Sequence, residues 1–235
     1  MVHHVFSIII LLFTMSNLSF AEGVPACLWP HTETSTESLV ASPSINDQEL
    51  LARLVYAEGL STSFGDDHLV YDAIAWGVMN RVRLGERSRS MQRTYGLGIR
   101  GVIFKKGQFN PAISKRSQFS KEFLCPKHAA RWNMAKNASE TAIKGNGNPF
   151  IQTPWEKRNN LSLVVNFYYP QSIQAKGRLA PWEGNKSLTF IDDVEMGMKT
   201  LSAERIRFYR LKYPPMDIKM NEKRYNGRSG KRGFP

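Results

Sequence analysis

The sequence predicts a mainly α fold of the α+β class, in which several helices are accompanied by a few short strands or extended segments. Three stretches carry apolar residues at helical spacing next to capping residues, whereas residues 161–170 are β-branched and aromatic over much of their length. The chain has 235 residues, of which 42% are apolar, so it can bury a sizeable core. We therefore expect one folded domain with a tail at each end.

The N-terminal region reads as a targeting segment followed by an arm. Residues 5–15 form an apolar run that is too short to span a bilayer comfortably, and residues 19–21 follow it as a small-x-small cleavage site. Although no Lys or Arg precedes the run, this pattern predicts a signal peptide over residues 1–21 and export to the periplasm or cell envelope. An uncleaved anchor is the alternative. Residues 22–45 are rich in Ser, Thr, Pro and Glu without a sustained period, so we expect a flexible arm.

The folded domain is expected over residues 46–213, and it begins with a helix. Asn46 is followed three residues later by Glu49, which is the spacing of a capping box. The next apolar residues recur at helical spacing: Leu50, Leu51, Leu54 and Val55. Gly59 stands where a glycine would end this helix.

A second helix is predicted from Asp66 or Asp67 to about Arg83, because its apolar residues share one stripe and its last turn is cationic. Residues 84–97 are polar and basic, which favours an exposed loop. A short helix is expected over residues 98–106.

A third long helix is predicted over residues 126–143, with Pro126 in its first turn and Gly145 as its stop. Residues 161–170 predict a strand or an extended buried segment. The basic tail, residues 214–235, is expected to be disordered, and solubility is its simplest role.

The charge of the chain predicts an anionic partner. Its formal net charge is +12, and the predicted signal peptide contains no charged residue other than histidine, so a mature chain keeps the whole of it. In an exported protein, this charge favours attraction to anionic cell-envelope polymers, such as teichoic acids, lipopolysaccharide and the carboxylates of peptidoglycan. Nucleic acid is not an expected partner of an exported protein, and we expect no stable transmembrane span in the mature chain.

The two cysteines, Cys27 and Cys125, are candidates for a disulfide that would close one long loop in an oxidising compartment. Two alternatives stay open at this point. Both thiols could be free and buried, or Cys27 could be a lipidation site.

Glu58 is the residue whose position most needs an explanation. On a helix it lies on the same stripe as Leu51, Leu54 and Val55, so its carboxyl is partly removed from water. Desolvation favours the neutral acid, and a glutamate that stays protonated near pH 7 can serve as a general acid at a glycosidic oxygen. The alternative is an ion pair with Arg81 or Arg53.

Four sequence blocks, in order over roughly 120 residues, resemble the SleB-like cell wall hydrolases, a family named for the spore cortex-lytic enzyme. The blocks read LLARLVYAEG from Leu50, AIAWGVMNRVR from Ala73, GVIFKKGQFNPA from Gly101 and NFYYP from Asn166. In the family they correspond to a helix ending Tyr-Ala-Glu-Ala, a helix ending Asn-Arg-Val, a loop with Gln-Phe and a Phe-Tyr-x-Pro segment. Gly59 replaces the alanine that the family carries after its glutamate.

The resemblance implies a lysozyme-like, mainly helical catalytic domain with Glu58 as the catalytic glutamate. Members are described as lytic transglycosylases that cut peptidoglycan glycan strands between N-acetylmuramic acid and N-acetylglucosamine. By position in the matching blocks, the residues expected to bind the sugar are Gln108, Phe109, Asn166, Tyr168 and Tyr56. For Phe109 and Tyr56 the alternative is core packing, and for the two amides it is loop hydrogen bonding.

The sequence suits a mechanism with one carboxylate and no cofactor or metal. An ordinary glycosidase needs a second carboxylate, but the neighbouring candidates have no distinctive context: Asp66, Asp67, Asp72 and Glu86. In a lytic transglycosylase one glutamate protonates the leaving oxygen and then accepts the proton of the muramoyl C6 hydroxyl. We assign Asn80 and Arg81 mainly to structure, as a hydrogen-bonding pair at a helix end. Trp182 either packs or stacks on a sugar.

Two rival functions remain. A zinc-dependent N-acetylmuramoyl-L-alanine amidase would need a cluster of metal ligands, and after the predicted signal peptide the chain offers only His31, His68 and His128, without an HExxH spacing. The second rival is a non-catalytic basic protein that binds the cell wall. The basic tail and the arginine-rich residues 84–97 support this alternative.

Overall fold

The computed structural model describes residues 23–28, 45–113, 117–172, 175–191 and 206–218. In chain order these form the helices α1 Asp47–Ser61, α2 His68–Arg87, α3 Arg89–Tyr95, α4 Gly98–Ile103, α5 Asn110–Ile113, α6 Ser120–Leu124, α7 Ala129–Lys144 and α8 Pro154–Asn159, and the strands β1 Val164–Tyr168, β2 Leu188–Ile191 and β3 Arg207–Leu211. The predicted mainly α, α+β class is confirmed. The predicted signal peptide, most of the arm and the tail beyond residue 218 lie outside the described residues.

Helices α1, α2 and α7 pack against one another around the main core. The Asn46 side chain caps α1 by accepting a hydrogen bond from the Glu49 backbone N–H at 2.8 Å, as the sequence predicts. The Asp67 side chain caps α2 in the same way through the Leu69 N–H at 3.0 Å. The predicted stop of α7 is also correct, because Gly145 ends the helix in the left-handed conformation with φ 77°.

Gly59 does not end α1, and that prediction is wrong. The helix continues to Ser61, with Gly59 buried inside it. A Cβ at this position would lie 2.5 Å from Cε1 of the Tyr71 ring. The glycine therefore lets Tyr71 of α2 pack directly on the α1 backbone beside Glu58.

The predicted loop over residues 84–97 is also wrong. Helix α2 runs on to Arg87, and α3 follows after one residue. The Ser88 side chain caps α3 by accepting a hydrogen bond from the Met91 N–H at 3.2 Å, and Tyr95 buries its side chain at the far end. The start of the predicted disordered tail is ordered too, because Ser88 and Ser90 hydrogen-bond Asp217 and Ile218 is buried.

The three strands form an antiparallel sheet in the order β1-β3-β2. Its pairing is irregular between Val164 and Asn166, where a bulge leaves Val165 out of the register with β3. Two side chains from the middle of α2 hold this bulge. Asn80 donates to the Val164 carbonyl at 2.8 Å, and Arg81 Nε donates to the Val165 carbonyl at 2.5 Å. The pair has the predicted structural role, but it lies inside α2 rather than at a helix end.

Residues 23–28 are fixed to the domain, unlike the flexible arm that the sequence predicts. Cys27 and Cys125 form a disulfide, with their Cα atoms 4.3 Å apart. The Leu28 N–H donates to the Leu124 carbonyl at 2.9 Å, and the buried Arg53 donates to the carbonyls of Ala26 and Leu124. No helix within the described ranges combines the length and apolar character needed to cross a membrane.

Candidate active site

A cleft of about 530 Å³ lies where α1 and α2 meet the C-terminal half of β1 and the loops around residues 108, 118 and 182. The sequence predictions converge on it, because four of the five predicted sugar-binding residues line it together with Glu58. Its lining includes Glu58, Arg81, Gln108, Phe109, Asn166, Tyr168, Tyr169 and Trp182.

Glu58 projects into the cleft from the last turns of α1. The residue is 7% exposed, and its carboxyl forms no hydrogen bond or ion pair with any residue that the structure describes. Burial raises the pKa of this carboxyl to about 7, and the positive charge of Arg81 offsets part of the rise. The group is therefore partly protonated at neutral pH and can both donate and accept a proton.

Arg81 is the cation among the described residues that line the cleft, although it does not form the ion pair with Glu58 that the sequence left open. Besides its bond to Val165, its Nη1 donates to Gln108 Oε1 at 2.7 Å. Its guanidinium carbon lies 4.7 Å from the ring centre of Phe109, on which it stacks. Burial lowers the pKa of Arg81 to about 10, so it stays charged at neutral pH. Arg53, the other candidate partner, bonds Glu49 instead.

The two amides of the site are presented differently. Because Arg81 has only donors, Gln108 must turn its oxygen to the guanidinium, which leaves the amide N–H₂ as a donor at the cleft. Asn166 follows the bulge of β1 and is half-buried at the cleft, without a side-chain hydrogen bond to another described residue. Both amides can therefore hydrogen-bond a polar ligand.

Aromatic side chains form one wall of the cleft. Trp182 packs edge-on against Tyr168, with ring centres 5.8 Å apart, and against Tyr209 at 6.0 Å. The Tyr209 hydroxyl donates to Glu183 Oε2 at 2.5 Å and accepts from Arg207 Nε at 3.1 Å. Trp182 thus combines packing with a place on the cleft surface, so the two interpretations from the sequence are compatible.

Two predicted sugar-binding residues have structural positions. Phe109 is 1% exposed, and its ring packs against the guanidinium of Arg81, so packing is its main role. Tyr56 does not reach the cleft, and its predicted sugar contact is wrong because the side chain is fully buried. Its hydroxyl accepts hydrogen bonds from the backbone N–H groups of Lys127 and His128, at 3.1 and 3.2 Å, where α7 begins.

Tyr169 is a cleft residue that the sequence reasoning missed. Its side chain is 9% exposed, and its hydroxyl is buried without a hydrogen-bond partner among the described residues. Burial raises the pKa of this hydroxyl well above its usual value, and the Glu58 carboxylate raises it further. The available signal was weak, since Tyr169 is the second tyrosine of NFYYP and occupies the variable position of Phe-Tyr-x-Pro.

The other candidate carboxylates lie elsewhere, and Glu58 is the acidic side chain that lines the described cleft. Asp66 is exposed and pairs with Arg131, and Asp67 caps α2. Asp72 also lies outside the cleft, although burial raises its pKa. Within the described ranges, no three His, Cys, Asp or Glu side chains come close enough together to bind a metal ion.

Comparisons with protein-family models, curated proteins and solved structures found no match to this chain. Membership of the SleB-like family therefore stays a prediction from the four sequence blocks. The geometry of the cleft is the independent basis for assigning a function.

Proposed function

We propose that this protein is an exported peptidoglycan lytic transglycosylase with Glu58 as its general acid and base. The observation that carries the proposal is a buried glutamate without an ion-pair or hydrogen-bond partner among the described residues, in a cleft with aromatic and amide side chains. A carboxyl with a pKa of about 7 is suited to giving and then taking a proton near neutral pH. The resemblance to the SleB-like hydrolases supports the same substrate, and so does the net charge of +12.

In the first step, protonated Glu58 gives its proton to the glycosidic oxygen between N-acetylmuramic acid and N-acetylglucosamine. The bond from this oxygen to the anomeric carbon breaks, and N-acetylglucosamine leaves with a new 4-hydroxyl group. The muramoyl ring becomes an oxocarbenium-like cation. Arg81 stabilises the Glu58 carboxylate that forms beside it, because the two charges interact within a buried site.

In the second step, the Glu58 carboxylate takes the proton of the muramoyl C6 hydroxyl. The oxygen of that hydroxyl attacks the anomeric carbon of its own ring and forms the 1,6-anhydro bond. Glu58 is then protonated again, so the cycle consumes no water and needs no second carboxylate. This agrees with a described cleft in which Glu58 supplies the carboxyl group.

The remaining cleft residues would hold the sugars. Trp182 and Tyr168 offer planar faces and edges for pyranose rings, and Gln108 and Asn166 offer amides for the N-acetyl and hydroxyl groups. Trp182 is braced by Tyr209, whose hydroxyl hydrogen-bonds Glu183 and Arg207.

The test is mass spectrometry of the soluble fragments that the purified protein releases from peptidoglycan. We expect fragments with 1,6-anhydromuramoyl ends, and we expect Glu58→Gln to reduce their release by roughly 100- to 10,000-fold. The matched control is Asp72→Asn, because burial also raises the pKa of Asp72 but this residue lies outside the cleft. Its release of fragments should match the wild type.

Three other results would contradict the proposal. Hydrated reducing ends would indicate a hydrolase that activates water. Free stem peptides would indicate the amidase. Binding to peptidoglycan without release, equal in the wild type and Glu58→Gln, would indicate a basic wall-binding protein, which the charge of +12 also favours.

A further inference from the structure

Among the residues that the structure describes, the Tyr169 hydroxyl is a hydrogen-bond donor without an acceptor. Tyr169 follows β1 directly and lines the cleft. Its hydroxyl is buried, and no described residue accepts a hydrogen bond from it. Buried polar groups nearly always have a partner, because leaving one unpaired costs the desolvation of that group. Such a group at a cleft points to a bond that forms during function.

Two charged groups among the described residues act on the Tyr169 hydroxyl, and only one of them, Glu58, can accept a hydrogen bond. Its hydroxyl interacts electrostatically with Glu58 of α1 and Arg81 of α2, and Tyr95 of α3 faces the same guanidinium at 5.4 Å. Arg81 cannot accept a hydrogen bond, and its Nε and Nη1 already donate to Val165 and Gln108. Glu58 has acceptor oxygens and no hydrogen bond to a described residue.

We propose that Tyr169 is a positioning residue for Glu58, and that its hydroxyl donates a hydrogen bond to the Glu58 carboxylate once the carboxyl has lost its proton. The timing of this bond within catalysis rests on the proposed function. No covalent bond of Tyr169 changes. The bond forms as Glu58 gives its proton to the leaving oxygen, and it is released as Glu58 takes the proton of the C6 hydroxyl.

Two physical effects favour this role. A hydrogen bond to a charged acceptor is stronger than one between neutral groups, so Tyr169 stabilises Glu58 selectively in its ionised form. Burial and the neighbouring carboxylate raise the pKa of the tyrosine well above its usual value, so Tyr169 keeps its proton and stays a donor. Tyr169 would therefore help Glu58 to release its proton without carrying charge itself.

The experiment compares Tyr169→Phe with the control Tyr56→Phe, because both remove one buried hydroxyl. Tyr56 accepts two backbone hydrogen bonds and lies outside the cleft, whereas Tyr169 has no described partner. We expect Tyr169→Phe to lower kcat about 10- to 100-fold with KM unchanged, and to leave the Tm equal or raise it by about 2 to 4 °C. Tyr56→Phe should lower the Tm and leave kcat unchanged.

A second readout does not depend on catalysis. The Glu58 carboxyl is titrated by carbon NMR, with Glu58→Gln identifying its signal. We expect the midpoint of this titration to lie about one unit higher in Tyr169→Phe than in the wild type, because the ionised form loses a hydrogen bond. The basic limb of the kcat profile should move in the same direction.

An unchanged Glu58 titration in Tyr169→Phe would overturn the proposal. So would a higher KM with unchanged kcat, which would place Tyr169 on the substrate, or a loss of Tm like that of Tyr56→Phe, which would make it structural. If the wild type released no fragments, the proposed function would fail. The titration would still decide whether Tyr169 bonds Glu58.

Discussion

Helix α1 carries two buried charges, Arg53 near its middle and Glu58 in its last turns, and their surroundings are opposite. Arg53 is 1% exposed, and its guanidinium donates to Glu49 and to the carbonyls of Ala26, Phe123 and Leu124. Glu58 is 7% exposed, five residues further on, and its carboxyl has no described hydrogen-bond partner.

This contrast distinguishes a buried charge that stabilises the fold, Arg53, from one that is available to a ligand, Glu58. A buried charge with all its hydrogen bonds made holds distant segments together, and Arg53 joins α1 to both sides of the disulfide. A buried charge without partners weakens the fold and remains available to a ligand. Burial alone does not reveal which kind a residue is, and its hydrogen-bond partners do.

The largest expected effect comes from removing the hydrogen-bonded guanidinium of Arg53. Arg53→Met should lower the free energy of unfolding by about 3 to 5 kcal/mol, because it leaves buried carbonyls without a donor and Glu49 without its partner. Urea unfolding at pH 7 measures this loss. The control is Arg131→Met, which removes an exposed ion pair with Asp66 and should cost no more than about 1 kcal/mol. Equal losses in the two variants would show that Arg53 does not hold the fold.

The next effect concerns Glu58, the charge without a described partner, and it is tested through the pH dependence of stability. The Glu58 carboxyl has a pKa of about 7 in the folded protein and an ordinary value of 4.5. Between these values the folded chain binds the extra proton, so stability falls as pH rises, and the full penalty of about 3 kcal/mol is present above pH 7. Glu58→Gln should therefore be more stable than the wild type by up to about 3 kcal/mol at pH 8, and equally stable at pH 4.

Glu156→Gln is the matched control for this pH experiment. Glu156 is also buried, but it accepts hydrogen bonds from the N–H groups of Thr153 and Leu163 at 2.7 and 2.6 Å, and it pairs with Arg210. Its substitution should destabilise the protein at pH 8, which is the opposite sign. Urea unfolding of both variants at pH 4 and pH 8 compares them, and a loss of stability in Glu58→Gln at pH 8 would contradict the account.

The smallest expected effect concerns the glycine beside Glu58. In Gly59→Ala the new methyl would meet the Tyr71 ring, which costs about 1 to 3 kcal/mol and outweighs the gain in helix propensity of about 1 kcal/mol. Gly101→Ala is the control, because its nearest contact is 3.8 Å away and it should gain about that propensity. Thermal unfolding gives the order of the three proteins, and a stabilised Gly59→Ala would refute the packing argument.

Local patterns predicted the parts of the fold that local forces determine. The caps at Asn46 and Asp67 and the stop at Gly145 follow from side-chain and backbone geometry within a few residues. The error over residues 84–97 arose because polar composition was given more weight than the Ser88 cap and the glycine that follows Tyr95. Gly59 was misread because its contact is with another helix.

The site was predictable only in part for the same reason. The helical stripe places Glu58 among buried residues, and the Gln108, Asn166 and Tyr168 positions follow from the sequence blocks. Tyr169 was not identified, and Arg81 was predicted only as a structural residue or an ion-pair partner, because their roles at the cleft depend on how α2 and β1 meet, which no periodicity reveals. An unpaired hydroxyl can be identified only once all its neighbours are known.

The hydrogen bonds between α2 and β1 also determine when the Glu58 carboxyl acquires its raised pKa. Asn80 and Arg81 each bond a residue 84 positions later in the chain, so these contacts form only after β1 has been synthesised. Until then Glu58 lacks the segment that includes Tyr169, which lines the same cleft, and a solvated Glu58 would be ionised at neutral pH. A nascent chain therefore carries Glu58 long before this carboxyl can hold a proton at neutral pH, and completing the fold is what raises its pKa.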